Sequence, residues 1–112
     1  NWLTVTLATD ELDFSHGYTA HNPASKEELL AIFEKCAAES TEQLKIATDE
    51  NFRKDWTLRN AETIYFTMPK TAVARSFVMN HLYHHRGQLT VYLRLLEVPV
   101  PGLYGPSADE KM

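Results

Sequence analysis

Nine residues in the C-terminal third, HLYHHRGQL from His81 to Leu89, constrain this chain more than any other stretch, because they set His81 and His85 four positions apart inside a long helical pattern. That spacing stacks two imidazoles on one helix face. Pro69 suits a first helical turn, no glycine intervenes before Gly87, and Pro99 and Pro101 close the segment, which predicts one helix over 70–97. At about 100° per residue, Val73, Phe77, Val78, Leu82, Leu89, Tyr92, Leu95 and Leu96 form a broad apolar stripe, with Arg75, Arg86, Arg94 and Glu97 opposite. His81 and His85 fall within the stripe. An imidazole turned into a core needs a partner, since an unpaired buried polar group costs about 1–3 kcal/mol. A metal ion or another side chain would serve, and helical histidine pairs also arise by chance.

The upstream region reads as a second long helix over 26–49. Asn22-Pro23 precedes it, and the Ser25 hydroxyl with the Glu28 carboxylate forms a capping box. Glu27 and Glu28 complement the helix dipole and need no role as ligands. Leu29, Phe33, Cys36, Ala37, Ser40, Leu44 and Ala47 recur at helical spacing, so Cys36 reads as a buried structural thiol rather than a nucleophile. Between the long helices, ENFRKD suggests a helical turn and WTLRNAETIYFTMP two short strands turning at Arg59 to Glu62. Trp56, Tyr65 and Phe66 read as a lid packed on the end of the helices. Gly87 costs roughly 1 kcal/mol in a helix, which a close crossing would explain. After Pro99 the tail reads as an extended arm that Leu103 and Tyr104 pin in place.

Composition narrows the function classes. The 112 residues carry 44% hydrophobic and 23% charged side chains and a net charge of −4, ordinary usage for one small domain over 1–112. Eleven basic side chains, spread along the chain and outnumbered by fifteen acidic ones, argue against nucleic acid as a partner. No apolar run approaches the roughly 20 residues needed to span a bilayer, and no leader is visible, so no membrane partner is expected. The lone cysteine fits a reducing, cytoplasmic compartment. No HExxH or CxxC accompanies the histidine pair.

The strings NHLYHHRGQLTVYLRLL (Asn80 to Leu96) and EVPVPGLYGPSADE (Glu97 to Glu110), with NWLTVTLATDELDF and NPASKEELL upstream, resemble DinB-like proteins of the DinB/YfiT-like metalloenzyme superfamily. The resemblance runs over the whole chain, and HxxxHRGQ is its most specific element. It implies an all-α, up-and-down four-helix bundle, here lacking its N-terminal helix and part of the second, with an irregular or hairpin segment between the two long helices. It further implies a divalent metal, zinc or nickel, held by three histidines. His81 and His85 match the late pair, and the third is expected upstream of Asn1. WLTVTLA reads as the last turns of a helix. His16 and His21, in loop-like stretches, are poor substitutes for that third ligand. His84, Gln88 and Tyr92 are candidates to orient the ligands or the substrate. The resemblance points to a homodimer and to a metal-dependent transferase acting on a small-molecule substrate with a low-molecular-weight thiol. The alternatives are a metal-dependent hydrolase, or a non-catalytic binding or stress-response module whose metal is structural or absent.

Overall fold

The computed structural model describes residues 1–110, and the chain folds as two compact units, Asn1–Val78 and the stretch from Met79 onward. In the first unit, α1 (Trp2–Ala8) leads into a short strand β1 (Glu11–Asp13) and a 3-10 turn (Phe14–His16). Two helices follow, α2 (Lys26–Ile46) and α3 (Asp49–Arg53), then the hairpin β2 (Asp55–Asn60) and β3 (Thr63–Pro69). A single helical turn α4 (Lys70–Ala72) passes into a π-helix (Val73–Met79), after which α5 (Asn80–Leu95) forms the body of the second unit.

A pure four-helix bundle is therefore not what forms. The strands build a three-stranded mixed sheet in the order β1-β2-β3, with β1 parallel to β2 and β3 antiparallel to it. The hairpin was expected from its alternation, but the third strand was not. Three residues, Glu11-Leu12-Asp13, pair with Thr57-Leu58-Arg59 more than forty positions away, a contact that no local pattern encodes. Strand β2 alternates as a half-buried strand must, sending Trp56 and Leu58 inward. Those two residues and Val73 are the centre of the core. Trp2, Val5, Phe66 and Phe77 pack on them, with Trp2 and Phe77 edge to face at 5.2 Å between ring centroids. Trp56 is thus the middle of a core rather than part of a lid: its side chain is 0% exposed and its indole N–H donates to Thr9 Oγ1 at 3.2 Å. Tyr65 stays exposed.

Two polar devices fasten this unit. The Lys70 ammonium, 2% exposed, donates to Asn51 Oδ1 at 3.2 Å and to the Leu7 carbonyl at 3.5 Å, and pairs with Asp10 at 3.1 Å. It ties the ends of α1, α3 and β3 together. Asp13 Oδ1 accepts the backbone N–H of Ser15 at 2.8 Å and of Ala61 at 3.0 Å, joining the 3-10 turn to the hairpin turn. Ala61 sits at φ 49°, a left-handed position, and Arg59 donates twice to its carbonyl.

The long helices also depart from expectation. Helix α2 starts where the capping signal places it, with Ser25 Oγ accepting the Glu28 N–H at 3.1 Å, while the Glu28 carboxylate accepts from Ala24 rather than from Ser25. It stops at Ile46 because Ala47 and Thr48 turn extended and Thr48 caps α3. Its better-covered side reads Ile32, Cys36, Ser40 and Gln43, with Ser40 Oγ 3.0 Å from Thr4 Oγ1 of α1. Phe33 and Leu44, expected in the core, are exposed, and Cys36 is half-buried. The helix predicted over 70–97 is interrupted by the π-helix, whose i→i+5 bonding breaks the 3.6-residue periodicity that the stripe assumes.

A candidate metal centre on helix α5

Helix α5 carries the histidine pair, and no residue of this helix is buried. His81 and His85 both lie on the exposed surface of the described chain, not in a packed interior. The i,i+4 spacing brings their rings together, with centroids 4.6 Å apart and the two Nε2 atoms at 2.7 Å. On its other side, His85 Nδ1 lies 2.9 Å from Gln88 Oε1. His84 meets the His85 ring edge to face at 5.2 Å. Tyr92 lies two turns along and is 60% exposed, with no polar contact to the pair among those observed.

The donor set suits a borderline-soft divalent cation in type, since imidazole nitrogens ligate zinc, nickel and copper. Bonds of about 2.0–2.1 Å at a tetrahedral angle set two ligand nitrogens about 3.3 Å apart, so opening the pair by roughly half an ångström makes room for an ion. Two donors remain short of a catalytic set, which takes three protein ligands and an open position. Among the described residues no group of three or more His, Cys, Asp or Glu side chains is placed to hold a metal. His16 closes the 3-10 turn and is exposed, and His21 lines a cleft of about 230 Å³ in the first unit with Trp2, Leu12 and Tyr18. Neither joins the pair. The family model for the DinB family matches residues 1–111.

The chain belongs to the DinB family.

This DinB-family chain is also 50% identical over 34 residues to the uncharacterized protein YrdA of Bacillus subtilis (strain 168). The aligned stretch covers 30% of the chain and 20% of that relative's length. No solved structure matches.

Around the pair, the second unit is held by polar contacts that the sequence reading did not single out. Arg94 pairs with Asp109 at 2.8 Å, and Asp109 also accepts the Val100 N–H at 2.8 Å. These bonds hold the Asp109 carboxyl below its ordinary range, the Arg94 hydrogen bond foremost. Arg86 stacks its guanidinium on Tyr83 at 5.3 Å and on Tyr104 at 5.2 Å. The tail is therefore fastened by charge and by the stacking of Arg86 on Tyr104, whose ring is otherwise highly exposed. Around Gly87 a Cβ would meet nothing within 4 Å among the described residues, so the close crossing expected there is not formed within the described chain. No helix of the described chain is long and apolar enough to cross a membrane.

Proposed function

We propose that this DinB-family chain contributes to a divalent-metal-dependent enzyme, with His81 and His85 as two of its metal ligands and zinc or nickel as the ion. The observation that carries the reading is the approach of the two Nε2 atoms to 2.7 Å, with both histidines exposed on one helix. The reading requires one more protein donor than the described residues bring together. A divalent ion at an open coordination position supplies a Lewis acid that favours the deprotonated form of a bound water or thiol. The chain's own part is to hold two neutral imidazoles in register on a rigid helix, with Gln88 and His84 against the ring of His85. Among reactions open to such a site, transfer of a small thiol to an electrophilic small molecule in the cytoplasm is the sharper choice, and hydrolysis the broader one. Leu82, Leu89 and Leu95, exposed on α5, support a second copy of the chain as the partner that covers them.

The test pairs metal content with turnover. Purified protein loaded with zinc or nickel is assayed with low-molecular-weight thiols and electrophilic substrates, beside the His85→Ala variant. Turnover that requires both the metal and His85 supports the transferase. Bound metal without turnover on thiol or hydrolytic substrates would leave the second reading, a binding module. One observation favours that module: both ring nitrogens of His85 already have hydrogen-bond partners without a cation.

A further inference from the structure

We infer that Arg86 is a preformed binding site for an oxyanion, the carboxylate or phosphate of a small molecule. Two arginines on one helix supply the comparison. Arg94 meets the Asp109 carboxylate through both amino groups, Nη1 to Oδ1 at 2.9 Å and Nη2 to Oδ2 at 2.8 Å. Arg86, about two turns earlier on α5, has no carboxylate partner among the described residues, and its Nε is buried without an acceptor. The acidic groups of the tail are already engaged. Asp109 is taken by Arg94 and the Val100 N–H, and the Glu110 carboxylate accepts the backbone N–H of Gly102 at 2.6 Å and of Ser107 at 3.1 Å.

In place of a counter-ion Arg86 has two tyrosine rings, with its guanidinium carbon 5.3 Å from the Tyr83 centroid and 5.2 Å from that of Tyr104. Such rings attract the charge through their quadrupole and hold the guanidinium plane without using any of its N–H groups. The side chain is thus restrained before a ligand arrives, and less freedom is lost on binding. An exposed arginine without a partner needs no explanation, because water satisfies it. A half-buried one with an orphaned donor does. Nη1 and Nη2, equally without an acceptor, are not sealed as Nε is, so they form the open end of the fork. That end can donate two parallel N–H bonds to one carboxylate or phosphate, as Arg94 does to Asp109. The net charge of −4 gives the chain no general attraction for anions, so anion binding here would be local to this fork. Arg86 stands about 100° round α5 from His85, and its role does not depend on the metal proposed above.

The experiment follows the Arg86 Nε–H resonance of the metal-free protein by 1H–15N correlation while inorganic phosphate or acetate replaces chloride at constant ionic strength, at a pH where imidazoles are neutral. Its absence from the spectrum of Arg86→Lys assigns the resonance. The expected result is a saturable shift. Saturation by phosphate alone identifies a phosphate as the ligand group, by acetate alone a carboxylate, and by both the shared oxyanion geometry. Arg86→Lys keeps the charge but loses the fork, and weakens binding on the order of tenfold, read from the backbone amides of α5 and the tail. Tyr104→Leu removes one ring and weakens it roughly two- to fivefold. No saturable shift with either anion overturns the site and leaves Arg86 as a strut for the tail. Equal affinity in wild type and Arg86→Lys also overturns it, because the anion then sits elsewhere. Should Arg86→Lys lose its helical circular dichroism, the wild-type Nε–H titration decides alone.

Discussion

Trp56 and His85 have opposite surroundings, and in each case not the expected ones, since the sequence placed Trp56 in a lid and His85 in an apolar stripe. Trp56 is enclosed by aromatic and aliphatic neighbours from α1, the sheet and the π-helix, and its single polar atom is satisfied. His85 lies on a helix with no buried residue, its polar atoms paired with groups on the same helix. The first unit is therefore held by an apolar core with polar ties at its margin, and the second by helix hydrogen bonds and polar ties to its tail. The proposed metal ligands sit in the unit without buried helix residues, where a shift of the rings disturbs little packing.

Truncating one apolar side chain in each unit tests this contrast most severely. Trp56→Ala is expected to cost about 3–5 kcal/mol in urea unfolding, because it empties the centre of the core. Leu89→Ala, on the exposed face of α5, is expected to stay within about 0.5 kcal/mol in the monomeric chain. A large Leu89 effect that depends on protein concentration would mean that a second copy covers that face.

The buried ammonium gives the next largest effect. Asp10→Ala removes the carboxylate beside Lys70, leaving the charge to Asn51 and the Leu7 carbonyl, and should cost about 1–3 kcal/mol by thermal or urea unfolding. Lys70→Met should cost less than Asp10→Ala, because Asp10 is 80% exposed and regains water when its partner is removed. The reverse order would show that Lys70 acts through packing of its stem rather than through its charge.

Smaller effects come from the hairpin turn. Ala61→Gly should stabilise the protein by up to about 1 kcal/mol, since glycine occupies a left-handed position without the clash that alanine suffers there. Asp13 carries a pH signature. Hydrogen bonds from the Ser15 side chain, then from the backbone of Ala61 and Ser15, lower its carboxyl from 3.8 to about 2. A carboxyl depressed in the folded state contributes stability that is complete above the unfolded value near 4 and is lost as pH falls through about 2. Urea midpoints of wild type and Asp13→Asn should therefore differ at neutral pH and converge as pH falls through that window. A gap that persists at low pH would assign the effect to shape rather than charge.

What the sequence made legible is what short-range chemistry controls. The capping signal at Ser25 marks the start of α2, alternation in WTLRN and TIYFTMP marks the hairpin, and the i,i+4 spacing brings the two imidazoles together. What it hid depends on distant partners. Strand β1 forms only because β2 lies beside it, and the burial of Trp56 follows from packing against α1 and the π-helix. The apolar stripes of α2 and α5 were read as core, yet Phe33, Leu44, Leu82 and Leu89 are exposed, because periodicity reports an apolar face and not what lies against it. Gln88 was legible as a neighbour of His85, but its 2.9 Å contact to Nδ1 emerges only from the structure.

Whether His81 and His85 ligate one metal ion is decided by metal content per chain, measured by elemental analysis after zinc or nickel loading and desalting, for wild type, His81→Ala and His85→Ala. Metal is expected in the wild type and lost from both variants at unchanged helical circular dichroism, with wild-type affinity falling as protons compete for the ligating nitrogens. Metal retained in either variant, or none bound by the wild type, would contradict a shared site.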